Sequence, residues 1–76
     1  MKYLVVTPLA REEFQDVEKA VDRAKDMILE AIVNCRPTPY WWARIICLTS
    51  GMSGLITCPH VGFWRYNGAE LFNIYL

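Results

Sequence analysis

One apolar stripe in the first half of the chain constrains the fold more than any other feature. Between Phe14 and Cys35 the apolar residues recur at alternating intervals of three and four, which is the period of one face of an α-helix. Such a face needs a second surface to cover it, so the pattern predicts a helix over residues 8–34 that lies on a sheet. The stripe consists of Phe14, Val17, Val21, Ala24, Ile28, Ala31 and Cys35.

Local signals suggest the ends of this helix. Thr7 is a good N-cap residue and Pro8 suits the first helical position. Pro37 and Pro39 disfavour its continuation, because proline has no amide donor. The heptad spacing also permits a coiled coil, but the alanines in the stripe favour packing on a sheet.

Four segments have strand character, and an Asn-Gly pair predicts how two of them join. Asn67-Gly68 is typical of a two-residue hairpin turn, which would set Arg65 opposite Glu70 and Phe63 opposite Phe72. The predicted fold class is therefore α+β, a βαβββ chain forming one domain over residues 1–76, with one long amphipathic helix on one face of a mainly antiparallel four-stranded sheet. The predicted strands are residues 2–6, 40–49, 55–66 and 69–76.

Strand alternation then assigns side chains to faces. On the last two strands, Val61 and Phe63 are predicted to face the core together with Phe72, Ile74 and Leu76. A loop of Gly51-Met52-Ser53 would place Ser50 opposite Gly54, which puts Trp41, Ala43, Ile45 and Cys47 of the second strand on the core face. A shift by one residue would bury Arg44 without a partner.

The outer face of the sheet is the predicted partner-binding surface. Tyr, Trp and Arg dominate binding hot spots, since they bury a large area and keep a polar end. The hydrophobic content of 54% in only 76 residues also suggests that a partner or a second copy covers one surface. The candidate binding residues are Tyr40, Trp42, Arg44, His60, Trp64, Tyr66, Asn73 and Tyr75.

Charge is divided unevenly along the chain. From Arg11 to Glu30 there are seven acidic and four basic residues, whereas the remainder has one acidic and four basic residues. The helix is therefore acidic and the rest is basic and aromatic. A solvated helix face is one interpretation, and a secondary acidic binding surface is the other. That surface would comprise Glu12, Asp16, Asp22 and Asp26.

No motif predicts an enzyme, a metal or a cofactor. Cys58 and His60 share a strand face, but no carboxylate follows to orient the imidazole. Together with Cys35 and Cys47 they lack the short ligand spacing of structural zinc sites. The odd cysteine count, the short apolar run after Met1 and the lack of a membrane-length apolar segment predict a cytoplasmic protein.

In length, in βαβββ order and in its lack of catalytic motifs, the chain resembles the small phage-encoded anti-CRISPR inhibitors of bacterial immunity. The resemblance implies a stoichiometric inhibitor that occludes a bacterial defence ribonucleoprotein in the host cytoplasm. Those families share no motif from which residues could be transferred.

The sequence thus predicts a non-enzymatic protein-binding module. A single-stranded nucleic-acid binder with the same aromatics is one alternative, although few cations are available for phosphates. A homodimer formed through the outer sheet face is the other.

Overall fold

The structure, a computed structural model, describes residues 2–75 and the side chains of residues 2–73. It is α+β, as predicted, with one long helix and an antiparallel sheet. The sheet has five strands rather than four, and a short second helix ends the described chain. The elements are β1 (Tyr3–Val6), β2 (Arg11–Phe14), α1 (Val17–Val33), β3 (Trp42–Cys47), β4 (Ser53–His60), β5 (Phe63–Asn67) and α2 (Ala69–Tyr75), with a 3₁₀ turn at Thr38–Tyr40 before β3.

The strands lie in the order β2-β1-β3-β4-β5, and every neighbouring pair is antiparallel. Both helices contribute to one core on the same side of the sheet, and within residues 2–75 no helix covers the other side. The apolar stripe of α1 is confirmed as the face that packs on the sheet. Its buried members are Val17, Val21, Ala24, Ile28 and Ala31.

The predicted start of the helix at residue 8 is wrong, because residues 11–14 form β2. The Thr7 hydroxyl does accept backbone hydrogen bonds, from the Leu9 amide at 3.2 Å and the Ala10 amide at 3.0 Å, but it closes the turn between β1 and β2. The N-cap is Asp16, whose carboxylate accepts from the Glu18 amide at 2.9 Å. Capping chemistry is the same in a turn as at a helix start, so Thr7 alone did not distinguish them.

The helix ends at Val33, and its end has the hydrogen bonds of a Schellman motif. The Arg36 amide donates to the Ala31 carbonyl at 2.9 Å and the Cys35 amide donates to the Ile32 carbonyl at 3.0 Å. Cys35 takes the left-handed position with φ of 56°. The backbone therefore reverses before the prolines are reached.

The loop between β3 and β4 sets which side of β4 faces the core. The Cys47 amide donates to the Met52 carbonyl at 2.7 Å, and Ile45 pairs with Gly54. The sequence prediction placed Ser50 opposite Gly54, and that pairing is wrong. Because the two registers differ by an odd number of residues, every side chain of β4 changes face. The buried positions are Gly54, Ile56 and Cys58, whereas the predicted core positions of β3, Ala43, Ile45 and Cys47, are confirmed.

The predicted strand over residues 55–66 is interrupted by a turn. Gly62, with φ of 82°, joins β4 to β5 after Val61. Val61 and Phe63 were predicted to be core residues, but they are 70% and 58% exposed. Asn67-Gly68 does not form a hairpin turn, and α2 begins immediately after it.

Two adjacent buried residues show why the C-terminal segment is helical. Leu71 and Phe72 are 0% and 7% exposed and belong to the same core. A strand would send them to opposite faces. Consequently Arg65 does not pair with Glu70, nor Phe63 with Phe72. The predicted core positions Ile74 and Leu76 lie outside the residues whose side chains are described.

Candidate binding surface

The side of the sheet away from the helices is termed the open face. Strand alternation and the observed pairing assign its members, since residues directly opposite one another share a face. On β1, β3 and β4 most of these side chains are only partly buried, in contrast to the core side. The open face comprises Leu4, Val6, Arg11, Glu13, Trp42, Arg44, Ile46, Ser53, Leu55, Thr57, His60, Phe63, Arg65 and Asn67.

Apolar side chains occupy the centre of the open face. Leu4 lies opposite Ile46 on the neighbouring strand. In the next row Arg44 stands between Val6 on β1 and Leu55 on β4. These aliphatic groups meet solvent in part because no second layer covers them within the described chain.

Arginines surround and interrupt this apolar centre. Arg11 lies on the edge strand β2, Arg44 in the middle and Arg65 on the other edge strand, with Glu13 as the opposing carboxylate. Lys2 continues the pairing of β1 with β3, because its carbonyl accepts a hydrogen bond from the Leu48 amide at 2.9 Å. Alternation along the strand places its side chain on the same face as that of Leu4. Among the described residues, none of these four cations forms a salt bridge. The face therefore presents positive charge that is free to meet an acidic partner.

The open face is also indented. Arg44, Leu55 and Asn67 line a shallow cleft of about 260 Å³ near the end of β5. Ser53, Gly54 and Gly68 complete its wall. The cleft therefore places a guanidinium beside an aliphatic side chain and an amide.

Of the eight predicted binding residues, Trp42 and Arg44 lie on the open face, and His60 lies at its end, opposite Phe63. The prediction that Trp64 and Tyr66 share that face is wrong, because Tyr66 lies opposite the buried Ile56 and Trp64 packs against the core. The ammonium of Lys25 on α1 lies 5.6 Å from the Trp64 ring centroid and 5.3 Å from that of Tyr66. Both rings are thus on the helix side.

The other predicted binding residues lie elsewhere. Tyr40 is in the 3₁₀ turn, where the Arg36 guanidinium carbon is 5.7 Å from its ring centroid. Asn73 is exposed on α2. Tyr75 lies outside the residues whose side chains are described.

The predicted acidic surface is divided by local structure. Glu12 is on β2, and its carboxylate accepts from Arg23 Nε at 2.9 Å. This contact is the main cause of the raised pKa of Arg23. Asp16 caps α1, whereas Asp22 and Asp26 are exposed on the helix. Glu12 and Asp16 therefore have structural contacts of their own.

Sequence reasoning missed the contributions of β1 and β2 to the open face. The predicted helix over residues 8–34 includes Arg11 and Glu13, and the prediction of a strand over residues 2–6 gives Leu4 and Val6 no neighbouring strand. The available signal was Asp16, a good N-cap nine residues after Thr7. Starting the helix at Asp16 would have left residues 11–14 to pair with β1.

The cysteines do not come together around His60. Cys58 is buried, and its thiol donates to the His60 carbonyl at 3.0 Å rather than to the imidazole. Cys47 is buried beside the β3–β4 turn, where the Ser50 hydroxyl, followed by backbone amides, lowers the pKa of the thiol. Within the described side chains, no three His, Cys, Asp or Glu residues converge as metal ligands would.

Comparison of the chain with protein-family models, with curated proteins and with solved structures finds no match. None of the helices in the described chain is both long and apolar enough to cross a membrane.

Proposed function

We propose that the protein is a non-enzymatic binding module whose open face docks on another protein. The observation that carries the proposal is the combination on one surface of an aliphatic centre with arginines that have no described ion-pair partner. Protein interfaces commonly have an apolar centre and a polar rim, with arginine enriched. The partner surface would be apolar in the middle and acidic around it.

The identity of the central side chains favours protein over nucleic acid. Sheet-based binders of single strands stack bases on aromatic rings. Here Leu4, Ile46 and Leu55 occupy the central strands, and the aromatic positions of the face are Trp42 and Phe63. Aliphatic groups bury apolar area equally well against a protein, but they provide no stacking surface.

The same charges disfavour a dimer in which two open faces meet. Such a two-fold contact would bring Arg44, Arg11 and Arg65 of both copies into one interface. Like charges that lose solvent repel strongly. A partner with carboxylates matches the surface better than a second open face does.

The specific activity proposed is inhibition by occlusion, in which the open face covers a working surface of a bacterial defence complex. Its support is the resemblance in length to the small anti-CRISPR inhibitors together with a surface suited to stoichiometric binding. The order of elements does not contribute, because the structure has a second strand before the helix and a helix after the sheet that the βαβββ pattern lacks. Trp42 would supply the apolar anchor and Arg44 the directed polar contacts.

Affinity capture from a bacterial lysate that contains CRISPR effectors tests this function. The variant Arg44→Glu reverses a charge on the open face, and Lys19→Glu makes the same reversal on the exposed side of α1. We expect Arg44→Glu to lose the effector, and Lys19→Glu to retain it. Equal capture of the effector by both variants, or no capture by the wild type, contradicts the proposal.

Oligonucleotide titration separates the alternative. A protein whose affinity depends on phosphate contacts binds much more weakly as salt rises. We expect no salt-dependent binding of a labelled single strand. Tight binding that Arg44→Glu abolishes would show that nucleic acid is the ligand of the open face.

A further inference from the structure

The two edges of the sheet differ in how well they resist a further strand. The β2 edge, Arg11–Phe14, has three charged residues in a strand of four. Charge on an edge strand discourages pairing with another chain. The β5 edge, Phe63–Asn67, has three aromatic residues and a single charge, Arg65. Phe63 is 58% and Tyr66 is 42% exposed.

The hydrogen-bond pattern identifies the backbone groups that β5 leaves unpaired. The Cys58 amide donates to Trp41, so even-numbered residues of β4 direct their amides toward β3. The backbone amide and carbonyl of Thr57 therefore point toward β5 and form hydrogen bonds with the backbone of the opposite residue, Arg65. By alternation, the amide and carbonyl of Trp64 and of Tyr66 point away from β4. These are the groups that an added strand would bond.

The surroundings of this edge have opposite charges on the two sides of the sheet. On the helix side, a cleft of about 270 Å³ is lined by Tyr66, Val21, Glu18, Asp22 and Lys25. Lys25 is the one cation there against two carboxylates, and its ammonium already lies over two rings. On the open side the edge presents Arg65. If a further strand pairs with β5, a basic side chain on its helix side would be attracted to these carboxylates. An acidic side chain opposite Arg65 would be attracted to the guanidinium.

We propose that β5 is a strand-addition site, which binds an extended segment of a protein partner antiparallel to β5. Main-chain hydrogen bonds to Trp64 and Tyr66 provide the affinity. A carboxylate opposite Arg65 and basic residues on either side of it provide the sequence preference. The site uses the backbone edge of β5 and shares only Arg65 with the open face, so strand addition does not depend on docking at the apolar centre of that face.

A short peptide provides a direct test. The probe is a capped peptide of sequence Thr-Val-Arg-Glu-Arg-Val-Thr, in which the glutamate would lie opposite Arg65 and the arginines opposite Trp64 and Tyr66. Titration into ¹⁵N-labelled protein should shift the Trp64 and Tyr66 amide resonances and slow their hydrogen exchange. If no peptide concentration moves these two amides, the proposal is wrong.

Two methylated peptides distinguish strand addition from non-specific binding. N-methylation of both arginine amides removes the donors aimed at β5, whereas N-methylation of the glutamate and one valine removes donors aimed at solvent. We expect about tenfold or greater loss of affinity from the first pattern and a smaller loss from the second. Equal losses would overturn antiparallel strand addition.

A charge exchange tests the preference. Arg65→Glu should weaken the glutamate peptide and strengthen the same peptide with arginine at its centre. Arg44→Glu, on the open face two strands away, should leave the affinity of the glutamate peptide nearly unchanged. If Arg65→Glu does not change which peptide binds better, the assigned pairing is wrong. Because Arg44→Glu tests open-face docking, the two proposals can fail separately.

Discussion

The ring of Phe72 lies directly on the backbone of Gly54. A methyl group on the Gly54 Cα would be 2.5 Å from Phe72 Cε2 and 2.7 Å from Cζ. The Tyr66 ring packs edge-to-face on the same Phe72 ring, with the two ring centroids 5.2 Å apart. Because Gly54 has no side chain, the Phe72 ring can contact the backbone of β4, and this contact lets α2 pack on the sheet.

Gly54→Ala should destabilise the fold by about 1 to 3 kcal/mol, because the added methyl group overpacks a core contact. Chemical denaturation of the purified variant measures the loss. Phe72→Ala alone should cost about 3 to 5 kcal/mol through the cavity it leaves.

The double variant is the control for this contact. Since Phe72→Ala removes the ring that the new methyl group strikes, Gly54→Ala should cost much less in its presence. Additive losses would mean that the Phe72 ring does not lie on Gly54.

Cys35→Gly should stabilise the protein by about 1 kcal/mol. Cys35 has φ of 56° at the C′ position of a Schellman motif, where glycine avoids the clash that a Cβ makes. Thermal and denaturant unfolding measure the gain. Cys35→Ala is the matched control, because it removes the exposed thiol but keeps the Cβ. A gain as large for alanine as for glycine would contradict the backbone explanation.

Asp16→Ala should reduce stability by about 1 kcal/mol, the usual cost of an N-cap. Its carboxylate accepts a hydrogen bond from the Glu18 amide at 2.9 Å. Asp22→Ala, on the exposed side of the same helix, should change stability by less than about 0.5 kcal/mol. If the two substitutions lower the free energy of unfolding equally in denaturant titrations, Asp16 does not stabilise the helix as a cap.

Ser50→Ala should raise the pKa of Cys47, because the Ser50 hydroxyl is the largest cause of its lowering. Titration of the ¹³Cβ resonance of Cys47 reports the pKa directly. A thiol pKa that is lower in the folded state adds stability as pH rises through the folded value toward the ordinary thiol value, and adds nothing at lower pH.

Stability measured against pH provides a second readout for this pair. Ser50→Ala also removes the acceptor of the Met52 amide, which costs stability at every pH. The gap between wild type and variant should therefore be constant in acid and widen in mild alkali. A gap that stays constant throughout would show that the hydroxyl does not favour the Cys47 thiolate.

The helix and the core side of β3 could be predicted from the sequence because each has a period that burial enforces. Ala24 and Ile28 repeat every turn, and Ala43 and Ile45 alternate across the sheet. Each pattern extends over enough residues to identify the element even where single residues fit more than one structure.

The C-terminal third could not be predicted, because its local signals fit more than one structure. Asn67-Gly68 is typical of hairpins, yet here Gly68 has φ of 88° at the start of a helix. A methyl group there would be 2.6 Å from the Ser53 carbonyl oxygen. The choice depends on contacts with Ser53 and Gly54, which are distant in sequence, so tertiary packing overrides the turn propensity.

The position of β1 between β2 and β3 has a consequence for how the chain is assembled. Val5 can pair with Glu12 as soon as both are made, but its other neighbour, Ile45, arrives only after the whole of α1. Closing so long a segment costs more chain entropy than closing a hairpin. We therefore expect two local units, the first hairpin with its helix and the later three-strand meander, to form early, and their union along β1 and β3 to set the folding rate.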